Sequence, residues 1–254
     1  VITILDAAAA LDAPWPGLEP WQKLQVGAMP EPKRAFAPSS LYAIAAVEML
    51  RVRTMPQAMV CLSGSTGMMA DVFEPARRRS DNGRLVGGNY ARASRRIHPL
   101  TLIRSLQNQV PSALSQTFGI HGPVLNSLES ATALAYLLPN MEAFVRTHGQ
   151  VLLVLASAGN RREERAKREC FLGTRAGREG AFVFLLGNGG GYGKMELTDN
   201  LSDLESRMDE TVADDPILEA GRQMMRCMIE KPDQRVLNFR DSLGHCAAAI
   251  WKGQ

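Results

Sequence analysis

The chain has 254 residues, 45% of them hydrophobic, with 29 Lys and Arg against 26 Asp and Glu and a formal net charge of +3. That length and apolar share allow a large core in one domain or in two fused halves, and so small a charge leaves no electrostatic footprint for nucleic acid. A membrane span and a signal peptide are not expected either: the amino terminus lacks a basic n-region, and the four alanines from Ala7 are followed within two residues by Asp12.

Cys61, Cys170, Cys227 and Cys246 are scattered, with no Cys-x-x-Cys pair and no histidine spacing suited to zinc. They read as reduced thiols of a soluble cytoplasmic protein without a metal. The Arg77-Arg78-Arg79 and Arg161-Arg162 clusters read either as contacts for an acidic partner or as solvated faces.

In chain order, residues 1–5 predict a buried first strand. Pro14, Pro16 and Pro20, with Trp15 and Trp21, then predict an extended irregular segment whose tryptophans anchor an interface or cover a sheet edge. Ser39-Ser40 before Leu41, Ile44, Ala45 and Val47 predicts a capped amphipathic helix. Residues 57–62 predict a short strand entering the small-residue turn at 63–67, with a helix over 68–76 and an exposed excursion over 77–96.

Helices are expected from His98-Pro99 to Leu106 and from Pro111 to Phe118, and another over 130–146, kinked or divided by Pro139. The apolar runs at 150–156 and 180–186 predict central strands. The glycine run at 187–193 lacks the Lys-Ser/Thr of a phosphate loop and predicts a hairpin turn into a strand at 194–197. Beyond it lie a polar helical stretch, 199–231, and closing apolar structure from Val236 to Trp251. The methionines Met68, Met69, Met224, Met225 and Met228 read as core packing or as adaptable contact surface.

Residues 117–138, containing Gly-Ile-His-Gly-Pro followed by Val-Leu-Asn-Ser-Leu-Glu-Ser-Ala, resemble the segment that carries the nucleophilic cysteine of β-ketoacyl synthases. Three further motifs occur in the family's order. His98-Pro-Leu-Thr-Leu-Ile-Arg-Ser-Leu-Gln-Asn is similar to the preceding helix, Gly177-Arg-Glu-Gly-Ala to the Gly-Glu-Gly-Ala strand, and Asp241-Ser-Leu-Gly-His-Cys to the closing Asn-Ser-Phe-Gly-x-Gly strand.

The resemblance implies an α/β thiolase-like fold with a ketosynthase first half, residues 1–198, and a strongly shortened second part, residues 199–254. It places the nucleophile at Ala131, which cannot be acylated, and leaves no chain for the half that supplies the family's two histidines. The pattern resembles the short chain-length-factor subunits of polyene-forming systems. Such a subunit is non-catalytic, pairs with a β-ketoacyl synthase, and shapes the acyl tunnel in polyketide, polyene or fatty-acid-type biosynthesis.

Its substrate would ride on the phosphopantetheine arm of an acyl carrier protein, with no cofactor of its own. The implied interface or tunnel residues are Pro123, Val124, Leu125, Asn126, Ser127, Leu128, Glu129, Ser130, Ala131, Leu134 and Ala135. Two alternatives stay open: a self-sufficient acyltransferase or hydrolase using Ser130 with His121 as base, or Cys61, and a homodimeric scaffold with a degenerate ketosynthase fold. Against the first, Ser130 lacks the Gly-x-Ser-x-Gly elbow and fits a helix cap.

Overall fold

The computed structural model describes residues 2–12, 15, 18, 36–68, 95, 97–128, 130–158, 179–197, 215–241 and 245–253. The helix expected over 68–76, the excursion over 77–96 apart from Arg95, Trp21, Met69, Cys170 and the expected division between 198 and 199 lie outside these residues.

Among the described residues, eight strands form one sheet in the order β3-β2-β4-β5-β1-β6-β8-β7. The strands are β1 (Ile2–Leu11), β2 (Ala58–Ser63), β3 (Val124–Leu128), β4 (Gln150–Ala158), β5 (Glu179–Gly187), β6 (Gly193–Leu197), β7 (Gln234–Arg240) and β8 (Cys246–Gly253). The helices are α1 (Pro38–Glu48), α2 (Pro99–Ser105), α3 (Gln109–Phe118), α4 (Ala133–His148) and α5 (Pro216–Glu230).

Alternation along the central strands feeds two cores. Val60, Leu62, Val151, Leu153, Phe182 and Phe184 pack with α4 and α5 on one face. Met59, Cys61, Leu152, Val154, Ala181 and Val183 pack with α1 and α3 on the other. Helix α4 touches β2 and β4 but also β6 and β8, and α5 touches β7 but also β4 and β5, so the sheet curls around these two helices.

Strand β1 continues to Leu11, well past the expected end at residue 5. Its register shifts between Ile4 and Asp6, a bulge that reverses side-chain parity. Ile2 and Ile4 therefore share a face with Ala7, Ala9 and Leu11, while Ala8 and Ala10 turn their small side chains toward α1. The carboxylate of Asp6 at the bulge accepts from the N–H groups of Ala7 and Arg51 at 2.9 and 2.7 Å.

Two expectations are corrected here and one, for Pro139, is narrowed. Helix α1 begins after Ala37 with no side-chain cap, and it is not amphipathic, because Ser39 through Val47 are all buried between the sheet and α3. Pro139 lies inside α4 without dividing it. The glycine run is not a hairpin turn: β5 and β6 both pair with β1, which lies between them. Residues 188–192 cross the start of β1, where Tyr192 N–H donates to Ile4 O at 2.8 Å. A Cβ on Gly191 would stand 2.2 Å from that carbonyl oxygen, so the crossing needs glycine.

The order also contains a partial repeat. Reading outward from the antiparallel β1–β6 pair, β5 and β4 follow on one side and β8 and β7 on the other, with β5 and β8 each antiparallel to both neighbours. Helix α4 leads into β4 as α5 leads into β7. Residues 12–132 separate β1 from α4 and include β2 and β3, whereas only residues 198–215 separate β6 from α5. A strand–helix–strand unit takes about 30 residues, so the second side has no room for counterparts of β2 and β3.

Candidate functional site

Strand β3 ends the sheet and carries the segment singled out in the sequence. The chain reaches it through Gly122, where a Cβ would stand 2.1 Å from Gln57 O. This close approach seats Pro123 against β2, with Met59 N–H donating to Pro123 O at 3.0 Å. In the parallel register Met59 lies opposite Val124, so alternate residues turn their backbone groups to β2. The N–H and C=O groups of Val124, Asn126 and Leu128 therefore point away from β2, along the edge.

Side chains on β3 divide the same way. Leu125 packs against the core that contains α4. Val124 and Leu128, on the opposite face, are 39% and 48% exposed. Between them Asn126 is fixed: its Oδ1 accepts from Ser63 Oγ at 2.8 Å, and its Nδ2 donates to Gln107 O at 3.3 Å.

Beyond the strand, the Ser130 hydroxyl is engaged with Thr132 Oγ1 at 2.8 Å, and Thr132 rather than Ser130 is the N-cap of α4. Ala131 is completely buried, as are Leu134 and Ala135 on the first turn of α4. Glu129 lies outside the described residues.

Among the described residues, none of the fallback nucleophiles stands in an activated arrangement. His121 precedes β3 and Ser130 follows it, so the five-residue strand holds them about 16 Å apart, far beyond the reach of a general base. The exposed His121 instead docks by its backbone, N–H to Gln57 Oε1 at 3.2 Å. Cys61 sits in β2 between β3 and β4, and complete burial pushes its thiol far above the ordinary range, the reverse of an activated cysteine. Burial likewise pushes Cys227 up to about 11, with the nearby Arg235 pulling weakly the other way.

His245, just before β8, is tied to Asp241 at the end of β7. Its Nδ1 lies 2.8 Å from Asp241 Oδ2, its N–H donates to Asp241 Oδ1 at 3.0 Å, and Asp241 N–H donates to His245 O at 3.0 Å. No group of three or more metal-ligating side chains occurs among the described residues, and no described helix is long and apolar enough to cross a membrane.

Other candidates fall into the core. Trp15 is buried and meets Phe182 edge-on at 5.7 Å. Met68, Met224, Met225 and Met228 are buried as well. One feature went unread in the sequence: no residue of α2 is buried, and Leu100, Leu102, Ile103 and Leu106 are 41–53% exposed. Their apolar character was legible, but not which side of the fold they would occupy.

No protein-family model matches the sequence, and no curated protein matches it. Solved structures do match in shape. A structure of the ketosynthase ApeO in complex with its chain length factor ApeC from Xenorhabdus doucetiae aligns at TM-score 0.63 and 15% identity, covering 99% of this chain and 98% of that chain. The fold is that of the ketosynthases. The ishigamide ketosynthase/chain length factor aligns at TM-score 0.66 and 11% identity, covering 99% of both chains. A type II polyketide synthase acyl-carrier protein in complex with its ketosynthase gives TM-score 0.65 and 10% identity, covering 100% of this chain and 99% of that chain.

The α/β, thiolase-like architecture implied by the resemblance is thus the architecture present. Among the described residues, the first side has five strands, β1 to β5, and the second is shortened to three, β6, β7 and β8.

Proposed function

We propose that this chain is a non-catalytic, chain-length-factor-like subunit that pairs with a β-ketoacyl synthase and shapes its acyl tunnel. The observation that carries this reading is Ala131: the position where the resemblance puts the acylated cysteine is a buried methyl group. The shortened second side of the sheet agrees with it, since the family's two histidines come from its second half. The partner would then supply the cysteine and both histidines and perform the decarboxylative condensation.

The interface in this reading is the β3 edge. Val124, Asn126 and Leu128 offer backbone donors and acceptors to an antiparallel strand, with no charged side chain among the five residues of β3 to oppose one. Residues 123–131, with Leu134 and Ala135 behind them, would form this chain's contribution to interface and tunnel wall. The growing chain would arrive on the phosphopantetheine arm of an acyl carrier protein, which needs no metal or diffusible cofactor here, in polyketide, polyene or fatty-acid-type synthesis in the cytoplasm.

The test is reconstitution of a ketosynthase subunit from the same source with its carrier protein, with and without this chain. Co-purification as a heterodimer and a product length set only when both subunits are present are the expected results. A ketosynthase that ignores this chain and gives the same products in its absence would overturn the reading.

A further inference from the structure

A standard protein interface takes about 800 Å² and 20–30 residues from each partner, and β3 has five residues. Pairing along β3 alone is therefore too small to hold a stable dimer, and the remaining contact must come from surface continuous with that edge.

The chain that leaves helix α2 touches it. Val124 and Leu128 expose their side chains on the sheet face that carries α3, and Asn126 on that same face binds Gln107 O, one residue beyond Leu106. Just before Gln107, the large aliphatic side chains of Leu100, Leu102, Ile103 and Leu106 stand about half exposed.

This segment is held in place. His98 Nδ1 accepts from Leu100 N–H at 3.2 Å, Ser105 Oγ donates to Leu102 O at 2.7 Å, and Arg104 Nε donates to Phe36 O at 2.9 Å. The last bond draws the helix's only charge back onto the fold. What α2 and its C-cap then present is a ridge of exposed aliphatic side chains on a fixed backbone, and clustered apolar surface of this kind marks a contact site.

We infer that Leu100, Leu102 and Ile103 of α2 and Leu106 at its C-cap form, with the β3 edge, one continuous docking face for the ketosynthase subunit. This rests on the heterodimer reading above. The pre-ordered helix loses little conformational entropy on docking, so the ridge supplies apolar burial while β3 supplies strand register.

The test uses the full chain with Leu102→Asp and Leu106→Asp together, and separately with Tyr192→Asp at an exposed position elsewhere. Light scattering after size exclusion, on each chain alone and mixed with the ketosynthase subunit, reads association. Unfolding temperature controls for folding, which these exposed positions should leave unchanged.

The inference expects the α2 variant to weaken association more than about tenfold and the Tyr192 variant to leave it intact. If the α2 variant associates like wild type while Leu128→Asp in β3 does not, the α2 ridge is refuted and the heterodimer reading survives. If wild type binds only itself, the heterodimer reading fails and the assignment of the α2 ridge to a ketosynthase fails with it. A wild-type chain that stays monomeric with and without ketosynthase overturns both.

Discussion

The two strands that end the sheet differ in how their open edges are dressed. In β7, odd-numbered residues bond to β8, as the Asp241–His245 and Gly253–Asp233 backbone bonds show, so Gln234, Val236, Asn238 and Arg240 face outward along the edge. Gln234 and Arg235 are exposed, and Arg235 joins Arg226 on the Glu230 carboxylate just before the strand. Polar and charged groups of this kind guard an edge against pairing. Strand β3 has no such guard: its exposed side chains are Val124 and Leu128. Both ends turn backbone groups outward, but one sets polar and charged side chains beside them and the other exposes Val124 and Leu128.

The largest effect that would sharpen this contrast comes from Gly122→Val. The new side chain would collide with Gln57 O and lift β3 off β2. Chemical denaturation should show a loss of about 2–4 kcal/mol, together with loss of ketosynthase binding. Next, Leu128→Lys should abolish that binding with little change in stability, while Gln234→Lys at the β7 edge should change neither. Equal sensitivity at both edges, measured by the same titration, would break the comparison.

Thiol reactivity gives a smaller readout. Since burial raises the Cys61 and Cys227 thiols, both should stay unmodified by an aromatic disulfide reagent at pH 8 in the folded protein and react only on unfolding. Smallest is Glu230→Gln, which should cost under about 1 kcal/mol because its arginine pairs are largely solvated. Hydrogen bonding from Arg226 leads the causes that lower the Glu230 carboxyl. Its contribution is therefore present above the ordinary carboxylate range and lost as pH falls through the folded value, which thermal melts of wild type and variant between pH 3 and 7 should resolve.

Much of the fold was legible because burial on both faces writes continuous apolar runs, as at β4 and β5, and because Gly122-Pro123 and His98-Pro99 mark where elements begin. The rest was hidden for physical reasons. Ala7–Ala10 have no strand propensity of their own, and they extend β1 because Ala8 and Ala10 fit beneath α1. A glycine run that crosses a strand has the same composition as one that turns a hairpin. At the candidate site, the residue at position 131 and its inability to be acylated are properties of the sequence alone, whereas the exposure of α2 depends on which neighbours cover it, and that information is tertiary.

The most direct test of the non-catalytic reading is intact-protein mass spectrometry of this chain and its ketosynthase after incubation with an acylated carrier protein. The account predicts an acyl adduct on the ketosynthase and none on this chain, whether wild type or Ala131→Ser. An acyl adduct on the isolated wild-type chain, at Ser130, Cys61 or elsewhere, would contradict it.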